Sequence, residues 1–190
     1  MTEKLNVIDE QGNILSEELR EKIHREGFLH REVHVWLFNK KGEVLFQRRG
    51  IHKDTYPNLL DASAGGHVDI GEDYKSAVVR ELNEEIGIEI SPINLIFLGD
   101  YLSETYDEVT KNTNHALKEI YAYQFDGEIK DLKLAKGEVI NLEFWSIERL
   151  SNLTEKERKE FCSTLLSKEY LSLFKKIKVI EESKSGGNAK

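Results

Sequence analysis

The stretch that decides the fold runs from Gly66 to Ile88 and reads GHVDIGEDYKSAVVRELNEEIGI. A glycine-containing turn leads into a segment whose apolar residues recur at helical intervals, and Gly87 follows as the usual left-handed stop. Within the predicted helix, Glu81, Glu84 and Glu85 are three and four residues apart. This spacing places their side chains on one face, within a few ångströms of each other.

Three carboxylates in such a small space repel one another, and without a cation at least one of them holds its proton through a raised pKa. A bound Mg²⁺ or Mn²⁺ relieves this repulsion, because these cations take oxygen ligands and complete their shells with substrate phosphates. The spacing therefore predicts a divalent-metal site for phosphate chemistry. The alternative is a solvated helix face, since glutamate is a good helix former and a surface helix often carries several.

The whole segment from Gly66 to Ile88 resembles a known family motif, whereas the three glutamates alone do not. It matches the Nudix box, Gly-x5-Glu-x7-Arg-Glu-aliphatic-x-Glu-Glu-x-Gly-aliphatic, at every specified position. The chain thus resembles the Nudix hydrolase superfamily, including its MutT-like pyrophosphatases. The resemblance implies an α/β fold: a mixed β-sheet sandwiched between α-helices, with an N-terminal hairpin and a C-terminal helical extension. Gly66, Glu72, Arg80 and Gly87 would shape the box, with Glu72 and Arg80 as a buried charge pair.

We expect a single domain over residues 1–190, because 39% hydrophobic content supports one substantial core and no linker interrupts the chain. The core would cover about 29–150, C-terminal helices about 154–182, and a flexible tail 184–190. The pattern predicts a hairpin of 5–8 and 13–15, a helical segment 16–26, strands 32–38, 43–48, 93–99, 120–125 and 143–147, and a helical segment 154–180.

The amino-acid composition limits which binding partners and which cellular location we expect. A net charge of −8 argues against duplex nucleic acid, which proteins normally meet with a basic face. Cys162 is the only cysteine, so no intrachain disulfide can form and a cytoplasmic location is the default. We expect no signal peptide and no membrane segment, because no stretch is apolar enough. A small-molecule diphosphate is the expected partner, and a homodimer is left open.

Beyond the box, residues 5–150 are similar to the branch of the superfamily that includes type I isopentenyl diphosphate isomerase. The supporting strings are 29–39, 47–49, 53–57 and 64–67. The isomerase uses a cysteine immediately before the Gly-His of the turn, where this chain has Gly65. Of its two strand glutamates, Glu119 matches one, whereas Leu117 stands at the other. These departures, with the intact glutamate cluster, favour hydrolysis of a phosphoanhydride.

Three histidines keep the isomerase alternative open. His24, His30 and His67 resemble the isomerase metal ligands, and with Glu119 they form a candidate second metal site. The plain alternative is that each is a hydrogen-bonded structural histidine, since their sequence spacing places no two of them on one helix face.

For hydrolysis, Glu81, Glu84 and Glu85 would hold the cation while a carboxylate activates the attacking water. The resemblance offers two candidates for this base, Glu81 and Glu138, and the latter's alternative is a plain loop carboxylate. Phosphate-binding candidates lie between a strand end and the box, where a cation can reach a diphosphate oxygen: Arg48, Arg49 and Lys53.

The sequence is therefore compatible with three functions. The first is metal-dependent hydrolysis of a nucleoside diphosphate linked to another moiety. The second is isomerisation of a prenyl diphosphate, and the third is a catalytically silent nucleotide-binding module.

Overall fold

The computed structural model describes residues 3–186, with side chains to residue 183. Its strands are β1 Lys4–Ile8, β2 Ile14–Leu19, β3 His30–Phe38, β4 Glu43–Arg49, β5 Leu60–Asp61, β6 Ala64–His67, β7 Ile96–Asp107, β8 Asn112–Gln124 and β9 Val139–Ser146. Its α-helices are α1 Arg20–Glu26, α2 Tyr74–Ile86, α3 Ile147–Ser151, α4 Glu155–Arg158 and α5 Lys168–Gly186.

Seven strands form one mixed sheet, and β1 and β2 form a separate antiparallel hairpin. The path through the sheet is β5-β4-β3-β8-β7, with β6 beside β3 and β9 beside β4. Only the β3–β8 pair is parallel among these pairings, and the others are antiparallel. The predicted mixed sheet and N-terminal hairpin are thus confirmed.

Alternation along β3 builds the two layers around the sheet. Val33, Val35 and Leu37 belong to the buried cluster that includes α2, whereas Trp36 and Phe38 belong to the cluster that includes the C-terminal helices. Successive side chains of a strand point to opposite faces, so one central strand supplies both cores. The fold is a sheet between helices, as the sequence predicts.

Between β3 and β4 the sheet opens. The two strands pair only at Phe38 and Val44 and then diverge, and the segment that carries β5 and β6 enters the gap. Buried Ser63 bridges the opening, because its hydroxyl accepts the backbone N–H of Leu37 at 2.8 Å and donates to the carbonyl of Leu45. The gap therefore has a fixed width at the place where the box begins.

Several element boundaries differ from the sequence prediction. The predicted helical segment 16–26 is wrong at its start, because β2 continues to Leu19 in pairing with β1. Strand 93–99 begins only at Ile96, after a 3-10 turn at Pro92–Asn94, and strand 120–125 extends back to Asn112 along β7. The short strands β5 and β6 were not predicted, since they hold little apolar alternation. Strand 143–147 is observed as β9.

The C-terminal segment is helical only in pieces. Helix α4 ends at Arg158, and Phe161 then forms a parallel bridge with Leu60 of β5 before α5 begins. Backbone hydrogen bonds from Leu60 N to Glu160 O (2.7 Å) and from Cys162 N to Leu60 O (2.9 Å) fix this extended link. In the predicted tail, residues 184–186 belong to α5, and residues 187–190 lie outside the described residues.

We predict that Ser63→Ala destabilises the protein by about 1–3 kcal/mol, because it leaves the buried N–H of Leu37 without an acceptor. Urea denaturation measures the change. The matched control is Ser172→Ala, at an exposed position of α5, where the serine hydroxyl bonds to the carbonyl of Glu169. This variant should change the free energy of unfolding by less than about 0.5 kcal/mol. Equal stability of the two variants would contradict the bridging role.

Candidate active site

Helix α2 places the glutamates where the sequence predicts them. Asp73 caps its start, accepting the Ser76 N–H at 2.8 Å, and Gly87 ends it with φ of 72°. At the start of the box, the helix lies so close to β6 that a β-carbon on Gly66 would overlap the carboxylate of Glu81. Glycine at 66 therefore leaves the space that the Glu81 carboxylate occupies beside the strand.

Arg80 holds the loop of the box against the helix. Its guanidinium donates to both carboxylate oxygens of Glu72, at 3.2 and 3.0 Å, and to the carbonyl of His67 at 2.8 Å. The same group contacts Glu81 at 2.7 Å and the exposed Glu84 at 3.2 Å. The charge pair of Arg80 and Glu72 expected from the box is present, and it is partly buried.

Glu85 and Glu81 are both buried. Burial, and then repulsion from Glu81, raises the pKa of Glu85 to about 8, and burial also raises the pKa of Glu81. One oxygen of Glu85 accepts from the Gln47 side chain at 2.9 Å and from the N–H of Gly65 at 3.1 Å. This leaves its other oxygen without a hydrogen-bond partner in the described chain. A divalent cation fits this donor set, because it would neutralise two crowded carboxylates.

Two of the predicted cations lie beside this acidic site. The ammonium of Lys53 opposes the rise in the pKa of Glu85, and Glu85 in turn is among the carboxylates that raise the pKa of Arg49 against the effect of burial. Lys53 also forms an ion pair with Glu138 at 2.9 Å, so the loop glutamate is brought to the same side of the site. Arg49 is held by Asp61 at 3.0 Å.

Arg48 lies elsewhere. It points to the opposite face of β4 from Arg49, where it forms ion pairs with Glu143 at 3.0 Å and Glu160 at 3.1 Å. It also donates to the carbonyl of Asn58. Alternation along the strand separates the two arginines, so Arg48 fastens the C-terminal segment to the sheet.

The three predicted histidines come together from three elements, α1, β3 and β6. Their ligand nitrogens all lie within 4.8 Å of one another, and Nε2 of His24 is 3.2 Å from Nε2 of His67. His30 is fully buried, and its Nε2 has no hydrogen-bond partner among the described residues. Burial, and then the neighbouring rings, lowers the pKa of His24 to about 4, so its imidazole is neutral.

Glu119 does not join this cluster. It lies on the α2 face of β8, hydrogen-bonded to Tyr121, because its register places it beside Val33. Glu32 stands near the histidines instead, 3.5 Å from His30 and 3.6 Å from His67. Buried Glu32 also pairs with Lys118; although burial alone would raise its pKa, Lys118 and the histidines hold it well below the usual range.

Sequence reasoning missed Gln47, Asp61, Glu32 and Lys118. Gln47 and Asp61 are register partners in β4 and β5, and Glu32 and Lys118 are partners in β3 and β8. Their roles depend on strand pairing, for which one sequence carries no signal.

A mixed sheet between helices, with a turn-helix-turn that gathers buried glutamates and basic side chains at a sheet opening, defines the class of Nudix-fold proteins. The family model described as NUDIX domain matches residues 28–164. The chain belongs to the Nudix hydrolase family.

Relatives agree with this assignment. An uncharacterised Nudix hydrolase of Clostridium acetobutylicum is 33% identical over 156 residues, covering 80% of this chain and 74% of that protein. A Deinococcus radiodurans protein, DR0079, has a similar fold with TM-score 0.68 and 23% identity over 92% of this chain and 98% of its own. The NUDIX domain of Shewanella oneidensis NrtR, solved with ADP-ribose, has TM-score 0.51 and 14% identity, with coverages of 78% and 95%.

These relatives give no support to the isomerase alternative, and the backbone at Gly65 agrees with them. A β-carbon there would lie 2.6 Å from the carbonyl oxygen of Val33 and 2.9 Å from Cδ2 of His34. A cysteine could enter this position only if β3 moved. None of the described helices is long and apolar enough to cross a membrane.

We predict that Glu85 contributes a loss of stability to the metal-free protein as pH rises from about 5 to 9, whereas the neutral His24 and His34 contribute the opposite slope below about pH 6.5. Glu85 in the folded state binds its proton more tightly than in the unfolded state, so its protonated form stabilises the fold, and this contribution falls as pH rises through the two pKa values. Replacing the carboxyl by an amide in Glu85→Gln should remove most of this contribution, on the order of 3 kcal/mol.

Urea denaturation in the presence of a chelator, repeated across this pH range, measures the slope. Exposed Glu84→Gln is the matched control and should keep the wild-type profile. A Glu85→Gln variant with an unchanged profile would show that Glu85 does not hold a proton in the metal-free fold.

Proposed function

We propose that this protein hydrolyses the phosphoanhydride bond of a nucleoside diphosphate linked to another moiety, with Mg²⁺ or Mn²⁺. The observation that carries the proposal is the buried Glu81 and Glu85 pair beside Arg49 and Lys53. Crowded carboxylates attract a divalent cation, and the adjacent basic side chains attract the phosphates that such a cation accepts as ligands. The ADP-ribose bound by the Shewanella domain is a molecule of this substrate class, which supports the same choice here.

The proposed role of each residue follows from the groups that surround it. Glu81, Glu84 and Glu85 would hold the cation, which neutralises charge on the phosphates when bound. Arg49 and Lys53 would bind the phosphate oxygens, with Arg49 oriented by Asp61. Because both terminal guanidinium nitrogens of Arg48 are bonded to the carboxylates of Glu143 and Glu160, we leave it out of the phosphate site.

Two carboxylates remain candidates for the base that deprotonates water. Burial raises the pKa of Glu81, which makes its carboxylate a stronger base than an exposed glutamate. Glu138 is exposed on its loop and held beside the site by Lys53. Glu138→Gln separates them, because a steep loss of kcat would assign the base to Glu138, whereas a change mainly in KM is expected from loss of the ion pair to Lys53 and would leave Glu81 as the base. Glu81→Gln alone does not discriminate, since Glu81 would also hold the cation.

The proposed activity is tested by incubating the protein with Mg²⁺ or Mn²⁺ and ADP-ribose, other nucleoside diphosphate derivatives or isopentenyl diphosphate, followed by phosphorus NMR. We predict new phosphate species from a nucleoside diphosphate derivative, and a loss of at least about 100-fold in turnover for Glu84→Gln and Glu85→Gln.

Exposed Glu89→Gln, just beyond the helix, is the control for the acidic surface and should keep full turnover. Double-bond migration without phosphate release would contradict hydrolysis, and inertness towards every compound would favour a silent binding module.

We further propose that His24, His30 and His67 form a second metal site, with Glu32 beside them. The support is the buried Nε2 of His30, which lacks a hydrogen-bond partner among the described residues and lies within reach of two other imidazoles. Imidazole nitrogen is a ligand that Zn²⁺ accepts readily.

Equilibrium dialysis against Zn²⁺ followed by mass spectrometric metal analysis tests this site. We predict that His67→Gln lowers the bound zinc by about one ion per chain, as expected for a lost ligand. The matched control is exposed His52→Gln, which should bind as much zinc as the wild type. Unchanged zinc in the His67 variant would mean that the histidines are structural.

Two broader assignments stay proposals. A cytoplasmic location is supported by the single, buried and unpaired Cys162. A homodimer stays a prediction that sedimentation would test.

A further inference from the structure

His34 lies directly behind the acidic site. It is the register partner of Gly65 in the pairing of β3 with β6, and it faces the C-terminal helices, on the side of the sheet opposite α2. Gly65 itself donates its N–H to Glu85 at 3.1 Å. One residue without a side chain therefore contacts both the carboxylate on one side and the imidazole on the other.

Tyr170 of α5 fixes the protonation of this histidine. Its hydroxyl lies 2.8 Å from Nδ1 of His34, and the tyrosine is 1% exposed. Burial lowers the pKa of His34 to about 4 and raises the pKa of Tyr170 well above the usual value, so both groups are neutral. Within residues 3–183 the Tyr170 hydroxyl contacts no other acceptor, so it donates to Nδ1. A neutral imidazole that accepts at Nδ1 carries its own proton on Nε2.

The remaining hydrogen-bond donor of His34 is its Nε2–H. The side chain is half-buried, and Nε2 has no hydrogen-bond partner in the described part of the chain. The nearby carboxylate of Asp61 is already satisfied, because its oxygens accept from Arg49 at 3.0 Å and from the N–H of Ala62 at 2.8 Å. Half-buried Tyr101 packs edge-on against Tyr170 with 4.8 Å between ring centroids.

We propose that His34, positioned by Tyr170, is a specificity-determining residue whose Nε2–H binds an oxygen of an uncharged, hydroxyl-bearing group, such as a sugar, attached to the nucleoside diphosphate. This inference rests on the proposed hydrolase function. A neutral donor beside an aromatic ring suits an uncharged hydroxyl group, whereas another phosphate would be met by a cation. Because His34 lies behind Gly65, the subsite would lie beside the phosphate-binding residues and would not be one of them.

The test compares two substrates that share the nucleoside and the phosphoanhydride: ADP-ribose and the β-methyl ester of ADP. His34→Asn keeps a polar group near Nδ1 and removes the donor at Nε2, whereas His34→Gln keeps an amide N–H near Nε2. We expect His34→Asn to lower the ratio of kcat/KM for ADP-ribose to that for the methyl ester about tenfold, mainly through KM. His34→Gln should restore most of the ratio.

Tyr170→Phe keeps the ring and removes only the hydroxyl, so it should lower the same ratio by a smaller factor. His115→Asn, on β8 and bonded to the carbonyl of Gly27, is the matched control and should leave the ratio unchanged. Equal losses on both substrates, or an unchanged ratio in His34→Asn, would overturn the subsite while leaving the hydrolase intact. If wild-type protein cleaves neither compound but cleaves a sugar-linked derivative of another nucleoside diphosphate, the ratio is measured with that derivative and the β-methyl ester of the same nucleoside diphosphate. Inertness towards the whole panel would overturn the proposed function, and the subsite with it.

Discussion

The constraint on which the rest of this structure depends is the burial of two carboxylates, Glu81 and Glu85, against one stretch of backbone. Burial raises the cost of ionising both carboxylates, and repulsion from Glu81 raises it further for Glu85. The surrounding chain allows this proximity: the absence of a side chain at Gly66 leaves room for the Glu81 carboxylate, and the N–H of Gly65 and the side chain of Gln47 bond one oxygen of Glu85. A fold that keeps two carboxylates close together and buried from water is suited to bind a cation.

The sheet supplies the place for these carboxylates. Because β3 and β4 pair at only one position and then separate, the segment with β5 and β6 can enter between them and bring its backbone to α2. Ser63 sets the width of this opening, and the bridge of Phe161 to Leu60 closes it from the C-terminal side. The C-terminal segment is therefore part of the site's construction, through Glu160 on Arg48 and Tyr170 on His34.

The helix of the box could be predicted from sequence because its information is local. Apolar spacing, the Asp73 cap and the Gly87 stop all lie within one short segment, and the structure reproduces them. The neighbours of that helix depend on pairing between distant strands. Arg48 and Arg49 are adjacent in sequence yet have different partners, Glu143 and Glu160 for Arg48 and Asp61 for Arg49, and only strand pairing decides which.

The histidine cluster, too, could be predicted only in part from the sequence. Its three rings could be named from a resemblance, but the carboxylate beside them is Glu32 rather than Glu119, because β8 turns Glu119 towards α2. The broken C-terminal segment was also beyond the sequence, since its apolar periodicity continues through residues that pair with β5. Periodicity identifies which residues are buried, but it does not identify their partners.

The most direct test of the central claim is the number of protons released when Mg²⁺ binds the metal-free protein. Isothermal titration calorimetry at pH 7, in two buffers of different ionisation enthalpy, measures this number. With Glu85 protonated before binding, we expect close to one proton per Mg²⁺ at pH 7 and almost none above about pH 9. Binding of Mg²⁺ at pH 7 without proton release would contradict the account, because the carboxylates would then not be crowded enough to hold a proton.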